Sequence, residues 1–152
     1  MSRHPLHPAV VHFPIACWSL AVAADFAGLW FGETAWRWSG GLLAVGCGMA
    51  FVAMLAGLIE LPHVPEGAAM QVAYWHMGAM LAACALFCTR LLLRLEAWRP
   101  LEPDMLSLLL DVGGFICLAA GGWLGGKLVY QYGVGHSGKQ AETAPLSQTI
   151  DQ

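Results

Sequence analysis

Charge is scarce in this chain. Its 152 residues carry 7 Lys and Arg and 10 Asp and Glu, 11% in all, against about 25% in an ordinary soluble domain. The formal net charge is −3, so no basic stripe exists to neutralise phosphates, and a nucleic-acid partner is excluded. The strict apolar and polar alternation of a transmembrane β-barrel strand is absent. So are a CxxC pair, the CxxCH attachment site of a c-type haem and the HExxH element of a zinc hydrolase. The five cysteines, Cys17, Cys47, Cys84, Cys88 and Cys117, all fall inside apolar runs and none in a loop. They read as small packing residues and not as a disulfide framework or a thiolate zinc site.

What the chain has in abundance is apolar length: 58% hydrophobic residues and a mean hydropathy of +0.60. At roughly 20 apolar residues per crossing, one domain holds four spans with short loops. The expected fold is an all-α membrane protein, an antiparallel four-helix transmembrane bundle over residues 1–133. Its helices are expected at about 8–31, 35–61, 70–95 and 105–132, followed by a polar, disordered tail at 134–152. The first run offers a small-x-small pattern at Ala21-Val22-Ala23, yet only Arg3 precedes it and apolar character continues to Phe31. A retained span is therefore expected, not a cleaved leader.

Each run has its own marks. Trp36 and Trp38 open the second as interfacial anchors. Gly46, Ala50, Ala53 and Gly57 follow it as a close-packing stripe whose extension reaches Glu60. A proline and glycine turn at Pro62-His63-Val64-Pro65-Glu66-Gly67 leads to the third run, with His76 about two turns in and Arg90 and Arg94 near its end. The fourth is rich in glycine. Gly114, Gly121 and Gly125 share one face, which lets another backbone or a flat ligand approach closely.

Four antiparallel crossings gather His4, His7, His12, Glu60, His63, His76, Lys127, Tyr130 and His136 at the side of the termini. At 1.5 Å per residue, His12, His76 and Lys127 fall about 5–10 Å below that surface. At the opposite side Asp25, Asp111 and Arg90 reach a common depth. A buried pair or triad with Arg90 is expected there, with a proton relay through the two carboxyls as the other reading. Arginine and lysine in the short loops favour the termini and the histidines lying outside the cytoplasm.

The run His4-Pro5-Leu6-His7-Pro8, continuing into Val11-His12-Phe13-Pro14-Ile15-Ala16, opens the chain. Gly57-Leu58-Ile59-Glu60 ends the second helix, and the fourth ends on Gly121-Gly122-x-Leu124-Gly125-Gly126-Lys127-Leu128-Val129-Tyr130-x-x-Gly133-Val134-Gly135. Together these resemble the bacterial membrane family called domain of unknown function 2231, from His4 to about Gly135. The resemblance implies a four-helix domain of the bacterial inner membrane, His12 and His76 as its main polar positions, and redox company, since some members are joined to Rieske or cytochrome modules.

Three functions fit these residues. In the first, haem b lies between His12 and His76 as axial ligands. The glycine face of Gly114, Gly121 and Gly125 supplies a flat slot, Lys127 with Tyr130 or Arg3 meets the propionates, and His63 is the substitute ligand. Such a protein is expected to be an electron carrier or binding protein sooner than an enzyme, exchanging electrons with a quinone or a redox protein on the periplasmic side. In the second, His12, Glu60, His63 and His76 hold a divalent metal ion, zinc, copper or iron, in a metal-handling or transport protein. In the third, the polar groups satisfy one another and the chain is a structural or partner-binding subunit. A homodimer through the small-residue faces is compatible with each.

Overall fold

The computed structural model describes residues 10–96 and 102–135. Four helices follow in order: α1 His12–Phe31, α2 Glu33–Glu60, α3 Ala68–Glu96 and α4 Met105–Tyr130. All four are long and apolar enough to cross a membrane, and the protein is an all-α membrane bundle. His4, His7, Arg3, Arg99, His136 and nearly all of the polar tail lie outside the described residues.

The turns follow from local chemistry. α1 and α2 are separated by Gly32 alone, at φ 67, a left-handed conformation that favours glycine; its N–H bonds the Gly28 carbonyl at 2.8 Å. The three-residue turn expected at Gly32-Glu33-Thr34 thus shrinks to one residue. Leu61–His63 form a single 3-10 turn holding Pro62, and Gly67 at φ 88 turns the chain into α3. α4 starts where Asp104 caps it, accepting from the Ser107 amide at 2.8 Å. It stops at Gly133, φ 66, with the Val134 N–H returning to the Leu128 carbonyl.

The bundle is two close hairpins, α1 with α2 and α3 with α4, whose backbones approach each other more sparsely. Long side chains fill the gap. Trp18 of α1 stacks on Phe87 of α3 with ring centroids 4.7 Å apart. Each ring is backed by a glycine of its hairpin partner: a Cβ on Gly46 would run into Trp18, and one on Gly114 into Phe87. A layer of glycine, indole, phenyl and glycine thereby crosses the whole bundle. Around it pack Ala21, Leu43, Cys47, Ala50, Ala83, Cys84 and Leu118. The five cysteines are unbridged, and Cys47 and Cys84 serve in this core as expected of small apolar groups.

The outer surface suits lipid. Exposed aromatics form two belts: Trp30, Phe31 and Trp38 near the α1–α2 turn, and Tyr74, Trp75, Trp123 and Tyr130 toward the other end. Trp38 is exposed at this end, as the anchoring role expected of it requires. Trp36 is turned inward instead, its indole lying where a side chain on Gly28 would be.

Candidate functional site

Polar residues gather in two layers, one on each side of the Trp18–Phe87 stack. The layer near the α1–α2 turn is the more deeply buried. Asp25, Ser39 and Asp111 are fully enclosed, and Arg90 and Arg94 nearly so. Asp25, Ser39, Arg90 and Asp111 each stand six residues from the nearer end of their helix, about 9 Å along its axis. That is how groups distant in sequence reach one level.

Asp25 is the hub. Arg90 Nη2 donates to its Oδ2 at 2.9 Å, and Arg94 Nη1 to its Oδ1 at 3.3 Å. Arg94 also donates to Ser39 Oγ at 3.4 Å and to the Trp36 carbonyl, its stem lying on Gly40. It is in the last turn of α3, where a cation complements the helix dipole. Asp111 is served differently. Arg90 Nε is 3.6 Å from its Oδ1, and among the described residues neither carboxylate oxygen accepts a hydrogen bond. The triad of Asp25, Asp111 and Arg90 is therefore assembled as expected. Arg94, Ser39, Gly40 and the Trp36 carbonyl were not foreseen, although Arg90 and Arg94 stand four apart and so share a helix face.

The second layer holds the histidines. His76 is partly buried on α3 and its Nδ1 lies 2.8 Å from the Gly121 carbonyl oxygen. A carbonyl only accepts, so Nδ1 carries the proton and the lone pair resides on Nε2. The imidazole rests on Gly125, where a Cβ would come within 3.1 Å of it. The close approach expected at the glycine face of α4 is thus made by α3 itself, through Phe87 at Gly114, Met80 at Gly121 and His76 at Gly125.

The remaining candidates are placed more loosely. His12 is exposed in the first turn of α1, and His63 on the 3-10 turn. Glu60 is half-buried at the end of α2. Lys127 is half-buried with its Nζ 5.8 Å from the Trp123 ring centroid, a cation–π contact, and Tyr130 is 89% exposed. Among the described residues no three His, Cys, Asp or Glu side chains come together as a bare metal ion requires.

Register nevertheless relates His12 to His76. α1 and α3 run parallel, and the bonds from Asp25 to Arg90 and Arg94 span 65 and 69 residues. Carried back to His12, those separations set it level with residues 77 and 81, within about a turn and a half of His76.

Residues 3–138 match the family described as predicted membrane protein DUF2231. The chain belongs to that family. No curated protein and no solved structure matches it. DUF2231 is thus a membrane family to which this chain contributes two geometries: a cationic and carboxylate layer closed inside the bundle, and a histidine layer nearer the other surface.

Proposed function

We propose that this member of DUF2231 binds haem b in its histidine layer and carries electrons, with His76 as the residue that would chiefly hold the iron and His12 as the second. The observation that carries the reading is the His76 bond. An imidazole whose Nδ1–H is held by a backbone carbonyl presents Nε2 in a fixed orientation, the usual posture of a histidine ligand. The α1–α3 register supports His12 in depth alone, since it is exposed on the outer face of α1 and would have to turn inward to meet the iron, and Lys127 lies on α4 at the same end as a partner for a propionate. Gly114 and Gly121 do not contribute a slot in this reading, since Phe87 and Met80 occupy them; Gly125 acts by seating His76. Bound iron would supply one-electron chemistry, with a quinone or a periplasmic redox protein as exchange partner across the inner membrane.

The test is the optical spectrum of the purified protein, as isolated and after titration with haemin. A Soret band that shifts on reduction is expected, lost in His76→Ala and in His12→Ala and retained in His63→Ala. A preparation that stays colourless and takes up no haemin overturns the proposal. Elemental analysis finding zinc or copper without a Soret band would select the metal-ion reading in its place.

A further inference from the structure

The charged layer raises a question that the histidine layer does not answer. It holds two carboxylates and two guanidiniums, yet the two carboxylates are treated unequally. Asp25 accepts from both arginines. Asp111, equally enclosed, accepts from neither; its nearest cation is Arg90 Nε at 3.6 Å. Arg94 is engaged by Asp25, Ser39, the Trp36 carbonyl and its own helix end, so among the described residues Arg90 is the cation within 4 Å of both acids. A carboxylate closed off from water without a donor is the kind of buried group that calls for an explanation.

A proton is the smallest ligand that completes this arrangement. The Asp111 and Asp25 carboxyls stand against one guanidinium, Asp25 Oδ2 2.9 Å from Arg90 Nη2 and Asp111 Oδ1 3.6 Å from Arg90 Nε, and the Asp25 oxygens each have a second lone pair beyond the one given to arginine. A hydrogen on Asp111 makes it a donor to Asp25 and joins the layer into one connected network. Among the described residues no other element supplies a competing group. The layer faces Asp111 with Asp25 from α1, Arg90 and Arg94 from α3, and from α2 only Ser39 and the Trp36 carbonyl, neither of which titrates in water. Arg37 and Glu33 of α2 pair with each other on the exposed surface.

The route to such a site is written on α4. Asp104, Ser107 and Asp111 follow at spacings of three and four, the spacing of one helix face. Asp104 is exposed and Ser107 is 7% exposed. The Ser107 amide donates to Asp104 Oδ1 at 2.8 Å, which holds the serine side chain beside that carboxylate. A hydroxyl that both donates and accepts thus stands between a surface carboxylate and the enclosed one, over about 10 Å of helix.

We infer that Asp25 and Asp111 form a proton-binding carboxyl pair inside the span, charged and discharged along Ser107 and Asp104 from the side of the α1–α2 turn. Proton uptake forms an O–H bond on Asp111, hydrogen-bonded to Asp25, and breaks no covalent bond in the protein; release returns the proton through the Ser107 hydroxyl to Asp104 and water. The site stands whether or not the histidine layer holds haem.

Infrared difference spectroscopy on the full chain in lipid vesicles tests this. A pH step is expected to change a protonated-carboxyl C=O band that shifts in D2O. The band should be lost in Asp111→Asn, kept in Glu33→Gln, which alters only the exposed pair with Arg37, and moved in frequency in Asp111→Glu, which also decides the matter should the asparagine variant not fold. Ser107→Ala should leave the size of the band unchanged while slowing its exchange with D2O. No such band, or one indifferent to both Asp111 variants, overturns the proton site and leaves a fixed ion-pair cluster. An exchange rate unaltered by Ser107→Ala overturns the route.

Discussion

Arg90 Nη2 sits 2.9 Å from Asp25 Oδ2, joining two parallel helices on the diagonal of the bundle where backbone contact is sparse. Both groups are fully or nearly enclosed. Desolvation takes back much of what such a pair gains by attraction, so the pair itself adds little to stability. Breaking it is another matter.

Asp25→Ala strands Arg90 and Arg94 together in a space closed to water. Leaving a buried charge without its partner costs about 3–5 kcal/mol, and here two are affected. The variant is expected to melt well below the wild type in detergent by circular dichroism. Adding Arg90→Met should recover part of the loss, because residues in one network do not act additively. Arg37→Ala, which breaks the exposed Glu33 pair, should shift the melt by less than about 1 kcal/mol.

Gly114→Ala places a methyl 2.8 Å from Phe87 Cζ and pushes the ring against Trp18. Overpacking of this kind costs about 1–3 kcal/mol. Phe87→Leu in the same chain should relieve the clash, giving a double variant more stable than the sum of the single changes. Gly122→Ala, whose added methyl meets nothing within 4 Å, should melt like the wild type.

Gly125→Val tests the histidine layer without touching a ligand. The added side chain displaces the His76 ring from its seat and weakens the bond to the Gly121 carbonyl. If haem binds as proposed, the variant should lose most of the Soret absorbance, while Gly122→Ala keeps it. Equal spectra in the two variants would separate His76 from the cofactor.

Acid acts on Asp104. Hydrogen bonds from the side chain and amide of Ser107 hold its carboxyl below the ordinary value of 3.8. Folded, the group binds its proton less readily than unfolded, so the contribution is complete above 3.8 and disappears as pH falls through the lower folded value. The difference in melting temperature between wild type and Asp104→Ala should therefore be constant at neutral pH and narrow in strong acid.

Much of this architecture was legible in the residues. Four apolar runs specify four spans, and counting depth from their ends brought Asp25, Arg90 and Asp111 to one level. The glycine periodicity on α4 identified a face of close approach. It did not say what approaches, because helix adjacency and side-chain direction are properties of the assembled bundle. His12 shows the same limit. The buried stripe of α1 is Pro14, Trp18, Ala21, Asp25 and Gly28, spaced by four and three. Stepping back from Pro14 by three or four reaches Val11 or Val10, whereas His12, two residues before Pro14, lies about 160° from the middle of the stripe, on the opposite face of α1. That extrapolation needed Trp18 and Asp25 to be known as inward-facing, which a uniformly apolar helix does not reveal.

The diagonal pairing also governs how the chain enters the bilayer during synthesis. Among the described residues, α2 offers Asp25 no cation of its own; Ser39 is its buried polar residue, and Arg37 points outward. When the first hairpin leaves the ribosome, its carboxylate has no counter-ion until Arg90 is translated, 65 residues later. The amino-terminal half is accordingly a poor candidate for stable insertion alone. Its residence in lipid is completed by the second half, making the two hairpins a single biosynthetic unit.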